Sequence, residues 1–296
     1  MVSEIFISRY VSIGKMIASI VVAIYKVYLL ITAKSIAWFA FSNSLSYIVI
    51  SIMIYIFYQN QKGPKLSIKL STGIEMLKES YHFILSGIMA AAYGQMDRIM
   101  IGQMMTNADV GLYTTATAIC SMWIFVPNAI INSFRPTIME VKKNGNEHLY
   151  KIRLEQLYSG IMWFCFGVSL VICICAPIVI KILYGQAYLG ATNALRIAIW
   201  YEAFAMIGTA RGIWILCEKK NKYVKYYLSI GAGINLVLNY TMIPYMGIEG
   251  AAMATLVTQI TTSLFAPLLF KETRIHTKIV LEAFCFKWYF EKRKEG

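Results

Sequence analysis

Charge is what this sequence has least of, and acid is scarcer than base. Only 15% of its 296 residues are charged, 15 acidic against 28 basic, while 58% are apolar. A soluble domain is about half apolar and a quarter charged, so a globule of this size would run out of charge before its surface was coated. Histidine occurs three times, at His82, His148 and His276, too scattered to form a His/Glu cluster with metal spacing. No glycine-rich nucleotide loop is present, so nothing suggests ATP hydrolysis on this chain. Of the six cysteines, Cys120, Cys165, Cys173, Cys175 and Cys217 fall in apolar stretches. Cys173-Ile174-Cys175 lacks the two-residue gap of metal or redox pairs, and all five read as small packing residues. Neither a metal nor a cofactor is expected.

What is abundant is the long apolar run. Eight stretches approach the ~20 residues needed to cross a bilayer: Val11–Ala33, Trp38–Tyr58, His82–Ile101, Val110–Phe134, Leu157–Leu183, Ala194–Cys217, Val224–Ile243 and Ile248–Phe270. The first is interrupted by Lys15 and Lys26. The fold class is therefore an all-α polytopic membrane bundle of about eight transmembrane helices.

The basic residues alternate with the loops. Lys62, Lys65, Lys69 and Lys78 follow the second stretch, Lys142, Lys143, Lys151 and Arg153 the fourth, and Lys219, Lys220, Lys222 and Lys225 the sixth. Lys271, Arg274, Lys278, Lys287, Lys292, Arg293 and Lys294 follow the eighth, whereas the loops 102–109, 184–193 and 244–247 carry no Lys or Arg. This asymmetry places both termini in the cytoplasm. The net charge of +13 is a topology signal and not a nucleic-acid surface, because the bases sit in short loops between spans. The tail from Lys287 to Lys294, interleaved with Trp288, Tyr289 and Phe290, suits the anionic inner leaflet, or simply a solvated end.

Two charges stand beside one another at the end of an apolar stretch, in Gly94-Gln95-Met96-Asp97-Arg98-Ile99-Met100-Ile101-Gly102. Charges so placed are costly and are kept for a pathway, a partner or a structural lock. With Tyr93 before it and Ala108-Asp109-Val110-Gly111-Leu112-Tyr113-Thr114-Thr115-Ala116 after it, this segment resembles the seventh-to-eighth helix signature of bacterial polysaccharide flippases. These are the O-antigen and capsule repeat-unit transporters of the MATE-like (multidrug/oligosaccharidyl-lipid/polysaccharide) exporter superfamily. Phe134-Arg135-Pro136, Ile182-Leu183-Tyr184-Gly185-Gln186-Ala187-Tyr188 and Pro244-Tyr245-Met246-Gly247-Ile248-Glu249-Gly250-Ala251-Ala252 are similar to the same family, in the same order.

The resemblance implies two six-helix lobes around a central cavity, alternating access, and a bacterial cytoplasmic membrane location. It implies a polyprenyl-pyrophosphate-linked oligosaccharide as cargo for O-antigen, lipopolysaccharide or capsule synthesis, with polysaccharide polymerase machinery as a further partner. Mapped on that plan, residues 1–60 resemble the last two helices of the N-terminal lobe. Residues 61–79 form a basic cytoplasmic linker, 80–271 a six-helix C-terminal lobe, and 272–296 a basic tail. The first four helices of the plan are missing, so an N-terminally incomplete chain is expected. Three alternatives remain: a cation-coupled multidrug exporter of the same superfamily, a membrane polysaccharide polymerase, and a remnant that packs without transporting. The intramembrane charges lean basic, against the acidic cavity a cation exporter needs, and the short outer loops leave no room for a catalytic domain.

An anionic cargo needs a cationic, hydrated path, and arginine suits phosphate through bidentate contacts. On the sixth stretch Arg196, Trp200, Ala203, Ile207, Arg211 and Trp214 project within about 60° of one another, with the two arginines about 22 Å apart along the axis. They form a candidate cationic and aromatic ladder, or else two snorkelling arginines with interfacial tryptophans. Gly208 and Gly212 read as a small-residue packing pair. Lys15 and Lys26 share a face of the first stretch, Lys26 being deeper and the better path candidate; Arg98 is another. Asp97, whose side chain should diverge from that of Arg98, is expected to pair elsewhere, such as with a lysine, or to couple a proton or sodium ion. Glu202 is the second such candidate. Asn235, Asn239 and Gln259 are candidates for sugar contact or for interhelical hydrogen bonding.

Overall fold

A computed structural model describes residues 2–60, 70, 71, 73–78, 80, 81 and 94–286. The first part of the third expected span (residues 82–93), Lys62, Lys65 and Lys69 of the linker, and the basic tail from Lys287 lie outside the described residues. All regular elements among the described residues are helical. The chain divides into two compact units, Met1–Tyr81 and His82–Gly296.

In the first unit α1 (Val2–Ile31) and α2 (Ile36–Asn60) pack on one another through a short turn. Gly14 lets the helices approach, since a Cβ there would lie 3.6 Å from the Met53 Cβ. Ala18 and Leu29 are buried on the same seam, whereas Lys15 and Lys26 are exposed beside it. Most other large side chains of the pair, among them Ile24, Ile31, Tyr47 and Ile52, face outward, as expected where lipid and not protein covers them.

The second unit contains α3 (Met96–Met104), α4 (Asn107–Ser121), α5 (Phe125–Lys143), α6 (Glu147–Tyr184), α7 (Thr192–Cys217), α8 (Val224–Ile260) and α9 (Arg274–Phe284). Helix starts follow from capping chemistry. Thr106 and Asp109 form a capping box before α4, the Thr106 hydroxyl accepting from the Asp109 amide while the Asp109 carboxylate accepts from the Thr106 amide. Asn146 caps α6 by accepting from the Leu149 amide.

Helix α8 is continuous in hydrogen bonding but not in direction. Gly247 has φ 60 and ψ −137, outside helical space. The Asn235 amide reaches the Thr255 hydroxyl at 3.2 Å, while 20 residues of straight helix would separate them by about 30 Å. The chain therefore doubles back at Pro244–Gly247 into a hairpin with arms 224–246 and 248–260. The arms meet so closely that a Cβ on Gly250 would lie 2.5 Å from the Met242 carbonyl oxygen. Past Ile260 the helix widens into a π turn, Thr261–Phe265, then tightens into a 3₁₀ turn, Ala266–Leu269.

Five stretches among the described residues are long and apolar enough to cross a membrane: Ile13–Ile31, Ala37–Gln59, Asn107–Lys143, Glu147–Tyr184 and Asn221–Leu269. Two of the expected spans, 224–243 and 248–270, are the two arms of the hairpin; of the third only the nine-residue α3 lies among the described residues, and α7, with Arg196, Glu202 and Arg211, is not among the five. The chain is a multi-pass membrane protein.

The core has two parts. Toward the short-loop end, Ala176, Ala191, Ala194, Ala198, Ala251 and Ala252 let helices approach within backbone reach around Tyr113, Ile180 and Leu195. Toward the lysine-rich end, larger side chains from α5, α6, α7 and α9 (Ile138, Leu154, Tyr158, Trp214, Val280) fill the space. That end is laced by ion pairs: Lys142 with Glu147 and Glu218, Lys151 with Glu155 and Glu282, and Lys220 and Lys222 with Glu272. Lys220, Tyr223 and Lys222 hold the Glu272 carboxyl down at about 2.

Candidate functional site

Among the described residues, Asp97 is held without a cation. Its Oδ2 accepts from the Tyr113 hydroxyl at 2.6 Å and the Thr255 hydroxyl at 2.7 Å, and its Oδ1 accepts from the Asn239 amide at 2.6 Å. Asn239 also donates to the Asn235 Oδ1 at 3.1 Å, and Asn235 donates to Thr255. The four-residue spacing of Asn235 and Asn239 puts them on one helix face, and the hairpin brings Thr255 of the returning arm against that face. One carboxylate thus joins α3, α4 and both arms of α8. The expectation of a lysine partner is corrected: all three donors are neutral. Asn235 and Asn239 are 3% and 0% exposed, which removes them as sugar contacts in this conformation and leaves the interhelical role.

The buried Asn239 Oδ1 has no donor among the described residues. The network offers a formal charge of one with the oxygens of Asp97, Asn235, Asn239, Thr255 and Tyr113. Rotating the Asn239 amide would turn its carbonyl oxygen where its NH₂ now lies. An all-oxygen set of low charge fits a proton or a small hard monovalent cation, not a soft transition metal.

Arg98 diverges from Asp97. It donates to Gln95 Oε1 at 2.7 Å and to Thr117 Oγ1 at 3.1 Å, tying α3 to α4. Arg196 is exposed and donates from Nε to the Cys173 carbonyl of α6 at 3.3 Å. The expected ladder on α7 is largely a packing face. Trp200 meets Phe166, Ala203 and Ile207 are fully buried to within 1%, and Trp214 is 2% exposed against His276. Its tryptophans are taken up by α6 and α9, so it cannot serve as a run of open stops.

Arg211 differs from its stripe-mates because a cavity of about 360 Å³ opens beside it. Arg211 is 7% exposed, its Nη1 donates to the Thr262 carbonyl at 2.6 Å, and its guanidinium lies 4.3 Å over the Tyr227 ring. Gln259 lines the same cavity. Gly208 packs on Ser263, but a Cβ on Gly212 would meet nothing within 4 Å, so the expected packing pair is half packing and half cavity wall. Behind Arg211, His276 is fully buried, shares a 2.9 Å hydrogen bond through Nε2 with the Tyr158 hydroxyl, and lies edge-on to that ring. Burial and the Arg211 charge keep its imidazole neutral, well below the usual histidine range.

Glu202 is partly buried on α7, near Cys120 of α4 and Cys165 of α6. Lys26 belongs to the first unit and is exposed. Sequence reasoning missed Tyr113 and Thr255 as holders of Asp97, and Tyr227, Thr262, Tyr158 and His276 around Arg211. Tyr113 stands in the motif quoted with Asp97; the others carry no local signal, because only the hairpin and the packing of α9 bring them there.

The second unit is a bundle of membrane helices in which a partly buried carboxylate is held by polar residues of two neighbouring helices. The chain belongs to a family described as "Polysaccharide biosynthesis protein", which matches residues 6–193. Among curated proteins it is 22% identical over 243 residues to the lipid II flippase MurJ of Bacillus subtilis (strain 168), covering 74% of this chain and 45% of that one. It is 23% identical over 206 residues to the probable flippase AglR of Haloferax volcanii, covering 66% and 42%. It is 22% identical over 217 residues to a putative O-antigen transporter of Shigella dysenteriae, covering 72% and 53%. The chain spans about half the length of the curated relatives it matches. No solved structure matches it.

Proposed function

We propose that this chain forms one lobe, with two helices of a second, of a flippase that moves a polyprenyl-pyrophosphate-linked oligosaccharide across the cytoplasmic membrane for surface polysaccharide synthesis. Family membership and the names of the three relatives support the class. Loop charge supports an orientation with both termini in the cytoplasm. The role is transport and not catalysis; the polymerase that consumes the cargo is a separate partner.

The observation that carries the reading is Asp97, a carboxylate inside the bundle satisfied wholly by neutral donors. A carboxylate paired with a lysine is a lock, because neither charge can leave alone. One held by two hydroxyls and an amide can take up a proton or a small cation without breaking an ion pair. Asp97 is therefore the coupling site, with Asn235, Asn239, Thr255 and Tyr113 as its shell. Glu202 is a second proton acceptor on α7. Arg211, Gln259, Arg98 and Arg196 supply cationic and amide groups along the path.

The test is complementation of a flippase-deficient polysaccharide-producing bacterium with the gene in its full-length context. Asp97→Asn should lose surface polysaccharide while the protein still inserts in the membrane at the normal level. Normal polysaccharide in that variant would remove Asp97 from the mechanism.

A further inference from the structure

Arg211 is a buried cation without a buried anion. Its side chain is 93% sequestered, no carboxylate lines the cavity beside it, and no ion pair among the described residues includes it. The Nη1 edge is held by the Thr262 carbonyl, and Tyr227 lies under the plane. Nε is buried without a partner among the described residues, so the Nε–Nη2 edge, the one that binds oxyanions in a two-pronged fork, meets no protein acceptor among them. An uncompensated buried guanidinium is costly, and the cost is met when an anion arrives.

The backbone is arranged to keep this edge free. The π turn at Thr261–Phe265 turns the Thr262 carbonyl to Arg211, which fixes the guanidinium without neutralising it. Three of the four hydroxyls lining the cavity are already committed, the exception being the buried Tyr227 hydroxyl. Thr209 donates to the Ala205 carbonyl, Thr262 to Thr258 and Ser263 to Phe204. The groups left for a ligand are therefore the Arg211 fork, the Gln259 amide and the Tyr227 hydroxyl. The remaining wall is apolar, with Ile215, Val224 and Leu228, of which Val224 and Leu228 are 39% and 55% exposed. A charged recess with an apolar, outward-facing lip matches an amphiphile: a small anionic head inside and a hydrocarbon chain leaving along α8 into lipid. The cavity of about 360 Å³ is at the small end of ligand sites, enough for such a head and its first carbons.

We infer that the Arg211 cavity binds the phosphoryl head of a membrane lipid, with Arg211 as the fork, Gln259 as a second donor, and Gly212 as the small residue that keeps the cavity open. Two lipids share that chemistry: the pyrophosphate of a polyprenyl-linked cargo and the phosphodiester of a resident phospholipid. Only the first assignment rests on the flippase reading above.

The full chain in detergent micelles is titrated with geranylgeranyl pyrophosphate, with geranylgeraniol as the uncharged control, and with phosphatidylglycerol as competitor. Binding is read by native mass spectrometry. Arg211→Gln and, separately, Gly212→Leu should each weaken geranylgeranyl pyrophosphate binding by about tenfold or more. Gly212→Leu fills the recess without touching the Arg211 packing, so it reads the site even where Arg211→Gln fails to fold. Geranylgeraniol should not distinguish wild type from variants. Competition by phosphatidylglycerol assigns the site to a resident phospholipid; absence of competition assigns it to the pyrophosphate cargo; the cavity is a phosphoryl site in both cases. Wild-type affinity in both variants, or equal binding of geranylgeraniol and its pyrophosphate, overturns the inference. Because binding needs no transport, failure of the complementation test leaves this result standing, and the reverse also holds.

Discussion

Removing the Asp97 carboxylate in two steps tests whether its network holds the bundle as the geometry requires. Asp97→Asn keeps one oxygen, which can still accept from Tyr113 and Thr255, since both now meet the same Oδ2. It loses the bond from Asn239, which reaches the other oxygen. Asp97→Ala strands all three donors. An interhelical hydrogen bond in a membrane bundle is worth about 0.6 kcal/mol on average and at most about 1.7, and bonds to an ionised acceptor are stronger than neutral ones. At about 1 kcal/mol per bond, Asn should cost about 1 kcal/mol and Ala about 3. At roughly 3 °C per kcal/mol for a domain of this size, the melting temperature should fall by about 3 °C and about 9 °C. The assay is thermal unfolding of the full chain in detergent, followed by tryptophan fluorescence. Tyr113→Phe, which removes one bond, should resemble the Asn variant, and Thr255→Val, which also removes the acceptor of the Asn235 amide, should cost about twice as much. The reasoning fails if Asp97→Ala melts with the wild type, or if the Asn and Ala variants are indistinguishable.

Gly250→Ala should be among the most damaging methyl additions in the chain, because its Cβ would lie 2.5 Å from backbone and not from a side chain that can swing away. The expected loss is about 2 kcal/mol or more, whereas Gly233→Ala on the same helix, with nothing within 4 Å, should be neutral or slightly stabilising; equal melting temperatures for the two would refute the close hairpin. His276 should make stability pH-dependent. Its folded pKa is lowered below the unfolded 6.5, so above that value both states are neutral and nothing is lost. Below it the unfolded state binds a proton that the folded state refuses, and stability falls by up to about 1.4 kcal/mol per pH unit. His276→Phe should flatten the melting-temperature profile between about pH 6.5 and pH 5, and an unchanged slope there would refute burial of a neutral imidazole.

The helical class was legible because it rests on composition and run length, which act residue by residue. The hairpin turn was legible too, in Pro244-Tyr245-Met246-Gly247, since glycine tolerates the positive φ that the reversal needs. Span boundaries were less so. Helix α6 begins at Glu147, ten residues before the apolar run at Leu157, because Asn146 caps it and the ion pairs of Lys151 hold it beyond the apolar zone. The candidate site residues divide in the same way. Asp97 and Arg211 are visible as charges in apolar surroundings, and the two asparagines as a four-residue pair. The identity of their partners is a property of packing. The lysine expected for Asp97 was an argument from charge alone, and the bundle answered it with dipoles. The α7 stripe rests on helical angle alone. Periodicity finds which residues share a face but not whether that face meets water, lipid or another helix.

Asp97 and Arg211 grip one element from two places. The returning arm of the hairpin carries Thr255, which holds Asp97, and continues into the π turn, where the Thr262 carbonyl holds Arg211. Seven residues separate the two threonines, about 10 Å of helix. A helical arm is stiff over that length, so a charge change at Asp97 that shifts Thr255 must shift Thr262 or strain the turn between them. The π turn is the compliant part of that link. Coupling of this kind is reciprocal: a cation that alters affinity for the lipid head by some factor has its own affinity altered by the same factor. Titrating geranylgeranyl pyrophosphate at high and at zero sodium should therefore shift its affinity by about fivefold or more. Asp97→Asn should remove the shift while leaving the Arg211 cavity able to bind. Affinity that ignores sodium in the wild type, or a shift that survives in Asp97→Asn, would mean that the arm does not connect the two sites.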